Sequence, residues 1–173
     1  DRGSDWIDLA ADQKTLYYTS EGTKIFKYDL STSTQLTDFT NLGNRLFALR
    51  LLGDGTIIAA NENNVVHFDS SGIIIGTYLD RAQLLFGLNI APGGTSFWTA
   101  EYSTGDVYNV DIATGTVLNH FDINTGISGV SLLGEITVGG PGPGTPVPEP
   151  GTMMLLGSGL VGLVAYGRKK FRK

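Results

Sequence analysis

Residues 5–138 are punctuated by short runs of Val, Ile, Leu, Tyr and Phe, each closed by Gly, Asn, Asp or Ser. Runs of this kind between turn formers predict β-strands joined by hairpins. Their order repeats three times. Each unit opens on an apolar strand, at 6–9, 47–51 and 86–90, and continues into a second at 15–21, 56–62 and 95–101. A third strand is expected at 25–29, 65–69 and 107–111, and a fourth at 35–39, 73–78 and 117–121.

Equivalent residues lie about 40 apart: Glu21, Glu62 and Glu101 by 41 and 39, Asp29, Asp69 and Asp111 by 40 and 42. The three aspartates end a strand and can accept backbone N–H bonds from the following turn, which makes them hairpin formers. The three glutamates read as turn chemistry repeated with the fold. Four strands every ~40 residues is the period of a β-propeller blade. A helical solenoid would need stripes of period 3.6, which are not seen before the tail, and a β-sandwich would not repeat so regularly.

The expected fold is therefore all-β: a partial β-propeller of about three four-stranded blades plus the start of a fourth at 127–133, extended toward 138. With its D-x-x-T-G hairpin at Asp111-Ile112-Ala113-Thr114-Gly115, the pattern resembles YVTN-, NHL- and gluconolactonase-like propellers over residues 5–138. Closed propellers typically have four to eight blades, so the ring is incomplete and roughly three more blades are expected upstream of Asp1. The terminal sheets are then expected to expose apolar faces unless copies pair.

Composition changes at Gly139. Residues 139–147 alternate Gly and Pro, a composition that forms neither core nor ladder and predicts an extended linker between a body at 1–138 and a tail at 148–173. The tail has three parts: Pro148-Glu149-Pro150, an uncharged apolar run at 153–166, and a basic end. As one transmembrane helix the run would be roughly 21 Å long, shorter than the ~30 Å hydrocarbon core. Its apolar side chains are Met153, Leu155, Leu156, Leu160, Val161, Leu163, Val164 and Tyr166. Arg168, Lys169, Lys170, Arg172 and Lys173 can reach the headgroups and hold that end in the cytoplasm, which puts the body on the other side. Gly157, Gly159, Gly162 and Gly167 lower helix propensity, as suits a segment meant to be unwound and cut. The plainer alternative is a permanent tail anchor.

Turn, apolar run and basic cluster in that order resemble the PEP-CTERM sorting signal of Gram-negative bacteria. The resemblance implies an exosortase-type membrane protease as partner and cleavage near Pro148-Glu149-Pro150. It also implies transient residence in the inner membrane, then the cell surface or the extracellular space. Export needs an N-terminal signal, which is expected upstream of Asp1, so the chain reads as a fragment.

Charge sharpens this picture. Residues 1–147 hold seven Lys and Arg against sixteen Asp and Glu, a net of −9, while five of the twelve cations sit in the tail. An acidic body argues against nucleic acid as a partner. Zero cysteines exclude a disulfide framework, a thiolate metal site and a Cys nucleophile.

Candidate chemistry is sparse. No catalytic residue is assigned, because nucleophile elbows, Walker loops and H-E-x-x-H are missing from the sequence. His67 and His120 occupy third- and fourth-strand positions, and His67 reads as a solvated strand residue. Trp6 and Trp98 read as blade-packing residues. Asp8, Arg50, Asn89 and Ser131 fall at equivalent places in successive first strands, the ones that line a propeller's channel. The gluconolactonase resemblance implies a possible divalent metal there, although Arg50 has the wrong sign for it. The preferred function is a surface or matrix module that binds exopolysaccharide or another surface component. The alternative is a secreted metal-dependent lactonase-like hydrolase.

Overall fold

The computed structural model describes residues 3–80, 84–135 and 138, all within the first of two units, Asp1–Pro143 and Gly144–Lys173. Among the described residues, thirteen strands form three antiparallel meanders and no helix occurs. The first sheet runs β1 (Trp6–Leu9), β2 (Thr15–Thr19) and β3 (Lys24–Asp29), then a fourth strand split into β4 (Thr34–Gln35) and β5 (Thr40–Asn41). The split falls inside the expected 35–39 strand. Pairing nevertheless continues across it, since the Leu36 and Phe39 N–H groups donate to the Lys27 and Ile25 carbonyls at 2.9 Å.

The second sheet is β6 (Leu46–Leu51), β7 (Ile57–Asn61), β8 (Val65–Phe68) and β9 (Ile74–Tyr78). The third is β10 (Leu85–Ile90), β11 (Ser96–Glu101), β12 (Asp106–Asp111) and β13 (Val117–Asp122). Apart from the split strand, each lies within two residues of its expected place.

The recurring aspartates close the third-to-fourth hairpins. Asp29 Oδ1 accepts from Ser31 N–H at 2.7 Å and Ser31 Oγ–H at 2.6 Å. Asp69 Oδ1 accepts from Ser71 N–H at 2.9 Å, Ser71 Oγ–H at 2.7 Å and Ile73 N–H at 2.9 Å. Asp111 Oδ1 accepts from the N–H and hydroxyl of Thr114, both at 2.8 Å. These bonds to the charged form hold all three carboxyls below the usual range. Asp12 and Asp54 play the same part in first-to-second hairpins, each accepting from the N–H and hydroxyl of the Thr that follows.

The second sheet is apolar on both faces because it lies between the other two. Ile57, Ala59, Val66 and Phe68 join Ile25 and Phe39 of the first sheet in one cluster. Ile58, Ala60, Val65 and Tyr78 join Leu88, Ile90, Phe97, Tyr108 and Val110 of the third sheet in another. Alternating side chains of one strand thus serve opposite clusters, and the run Ile57-Ile58-Ala59-Ala60 is buried throughout. The first strands run side by side, β6 touching β1 and β10. Bulges interrupt β6 between Leu46 and Leu49 and β10 between Leu85 and Gly87, so Leu46 and Leu49 share a cluster.

Outer edges are exposed: every residue of β13 faces solvent, as do Ile73, Ile74 and Ile75 at β9. On the free face of the first sheet Ile7 is 53% exposed. The expected strand at 127–133 is not formed. Its sequence has strand character, but among the described residues it pairs in no ladder, and Gly129 and Val130 lie as coil against Gly87 of β10. Among the described residues no helix is long and apolar enough to cross a membrane. The linker, Pro148-Glu149-Pro150, the expected span and the basic end lie outside them.

Candidate functional site

The first strands carry one polar residue each between apolar neighbours, and the fold gathers these together. Asp8 sits on β1, Arg50 on β6 and Asn89 on β10. Arg50 is the hub. Its Nη1 donates to the Leu49 carbonyl at 3.1 Å, and its Nη2 donates to Asn89 Oδ1. The guanidinium carbon stands 5.0 Å from the Trp6 ring centre, a cation–π contact. Its Nε donates to Glu135 Oε1 at 2.5 Å. Both charged side chains are largely buried, at 14% and 17% exposure.

Asp8 is oriented by backbone rather than by the guanidinium. Its Oδ2 accepts from Leu51 N–H and its Oδ1 from Leu9 N–H, both at 2.9 Å. Burial pushes its carboxyl above the usual range. The two N–H donors and Arg50 oppose that rise, and Glu135 adds to it. The remaining amide of the cluster is tied to the C-terminal segment: Asn89 Nδ2 donates to the Val130 carbonyl at 2.6 Å. Gly87 makes room for that segment, since a Cβ there would stand 2.8 Å from Val130 N.

Of the four residues expected here, the structure therefore unites Asp8, Arg50 and Asn89. Ser131 is exposed, and its neighbour Val130 enters the cluster through a carbonyl instead. Sequence reasoning missed Glu135, which stands 85 residues from Arg50. Its position after the last strand gave no periodic signal. Among the described residues no group of three or more His, Asp and Glu is placed to hold a metal ion. The arrangement is that of an anion-binding guanidinium already engaged by an internal carboxylate.

Three other expectations change. Glu21 and Glu62 are not merely turn residues, because Arg45 reaches both, at 3.2 and 3.7 Å, and joins the first and second sheets. Glu101 is buried and accepts from Thr104 Oγ–H at 2.8 Å. His67 is half-buried rather than solvated, with Nε2 2.8 Å from Thr56 Oγ1 and Nδ1 3.1 Å from Tyr78 Oη. Tyr78 in turn donates to the Ile112 carbonyl at 2.7 Å, linking the second and third sheets. Trp6 packs against both clusters, as expected, while Trp98 lies 6.0 Å from the Phe121 ring on the free face of the third sheet.

Comparison with known proteins bears on two separate stretches. Residues 146–170 match the PEP-CTERM protein-sorting motif. That motif is a recognition signal for exosortase processing, and it implies transit through the membrane and export. No curated protein sequence matches the chain. The sheets are similar to the crystal structure of the computationally designed Ika8 protein, with a TM-score of 0.62 at 13% identity. The match covers 75% of this chain and 40% of Ika8, so the chain spans less than half of that protein's length. At such identity the likeness concerns fold alone.

Proposed function

We propose that the chain is an exported surface or extracellular-matrix protein, cut by an exosortase-type protease, whose sheets are blades of an incomplete β-propeller serving as a binding or structural module. The observation that carries this reading is the sorting-motif match at 146–170. On it, Pro148-Glu149-Pro150 marks the cleavage region. The run containing Met153, Leu155, Leu160 and Leu163 holds the precursor in the inner membrane, and Arg168 to Lys173 stay in the cytoplasm. Three four-stranded meanders stacked face to face, with their first strands side by side, support the propeller. The partner outside the cell is exopolysaccharide or another surface component. The lactonase alternative is disfavoured, because the Asn89 amide oxygen that a cation would need already accepts from Arg50.

The test is fractionation of cells that make the tagged protein with and without the protease. The protease-positive strain should yield a shortened product outside the inner membrane, and the deletion strain should retain the full chain in it. Identical size and location in both strains would overturn the reading.

A further inference from the structure

We infer that Arg50 and Asn89 form a carboxylate-receiving site, held closed by Glu135 of the chain's own C-terminal segment, and that its external ligand carries a carboxylate. The repeat supplies an internal control. Hairpin aspartates recur from unit to unit, as do the apolar residues flanking the central position, Ile7, Leu49 and Leu88 on one side and Leu9, Leu51 and Ile90 on the other. The position between them is polar in all three units yet different in each: Asp8, Arg50, Asn89. What the fold requires repeats with the fold. Residues that break the repeat at one equivalent place, and converge there, serve something other than the fold.

The geometry supports this. Arg50 is oriented by the Leu49 carbonyl and the Trp6 ring, neither of which belongs to the segment that carries Glu135, and by the Asn89 amide, which Val130 of that segment also holds. The receptor is thus preorganised, with the Nε edge directed at the carboxylate. Its present occupant comes from the coil beyond β13. Past β13 the chain forms no ladder among the described residues. Its hydrogen bonds to the sheets include Ile123 N–H to the Gly105 carbonyl and Ile127 N–H to the Tyr102 carbonyl, both at 3.2 Å, Asn89 to Val130, and the Arg50–Glu135 pair. As a tethered competitor, Glu135 raises the concentration at which an external carboxylate can take its place.

This inference rests on the reading of the sheets as a binding module. Its test uses the full chain in detergent with Trp98→Phe, so that Trp6, beside the guanidinium, is the remaining tryptophan. Sodium acetate and sodium glucuronate are titrated against sodium chloride at equal ionic strength. Glu135→Ala should bind acetate saturably and at least about tenfold more tightly than the parent. Adding Arg50→Met should abolish the response. Tighter binding of glucuronate than acetate would assign the carboxylate to a sugar acid, and equal binding would assign it to a small free acid. Should Glu135→Ala fail to fold, Glu135→Gln keeps the size, removes the charge and is titrated alike. A Trp6 signal that responds equally to acetate and chloride would overturn the site. Such a result would leave the fractionation outcome untouched, and a failed fractionation would leave this titration standing.

Discussion

Ile57 and Ile58 are adjacent in β7 and point into different clusters, yet they are 1% and 0% exposed. Truncating either to Ala removes about three carbons, worth about 2.4 kcal/mol of transfer free energy. The cavity left behind raises each loss to about 3–4 kcal/mol. Ile74, 50% exposed on β9, should lose under about 1 kcal/mol in the same exchange. Urea unfolding followed by tryptophan fluorescence measures all three, with unchanged slope as the check that only stability moved. In thermal melts the buried pair should each fall by about 10 °C. A strand with one wet face would give one costly and one cheap isoleucine. If either Ile57 or Ile58 behaves like Ile74, the second sheet is not enclosed on both sides and the face-to-face stacking is wrong.

Three further outcomes follow from the hairpins and the cluster. Asp29, Asp69 and Asp111 have folded pKa values below their unfolded ones, so their stabilisation is present above about pH 4 and fades as pH falls through the folded values. Melting temperature should drop below that pH, and Asp69→Asn should flatten the drop. Asp8 has the opposite sign, its charged form being disfavoured in the folded state, so carboxyl NMR should show it titrating above Asp69. Gly72 and Gly55 have nearly equal φ, +86° and +85°, but a Cβ at Gly72 would meet the Phe39 carbonyl oxygen at 2.5 Å whereas Gly55 faces open space. Gly72→Ala should therefore cost more than Gly55→Ala, itself a loss of about 1 kcal/mol. Equal losses would show that the second-sheet turn does not press on the first sheet.

What the sequence made legible is what local chemistry determines. Strands such as Ile57–Asn61 announce themselves by apolar runs between turn formers, and Asp69 closes its hairpin with residues two and four positions away. The polar position shared by Asp8, Arg50 and Asn89 was visible because repetition aligned it. Contacts across the fold were not. Glu135 finds Arg50 only through the path of a coil, and His67 reaches Thr56 and Tyr78 only once three strands are paired. The segment at 127–133 shows the limit of pattern reading, since a strand-like sequence needs a neighbour to become a strand.

The central claim concerns destination, and the intact mass of the protein recovered from outside the cells tests it most directly. The account predicts a species that ends near Pro148-Glu149-Pro150 and lacks the apolar run and basic end, and that is lost from outside the cells when the protease is deleted, the full chain then staying in the inner membrane. An external species that still carries Arg168 to Lys173 would contradict it.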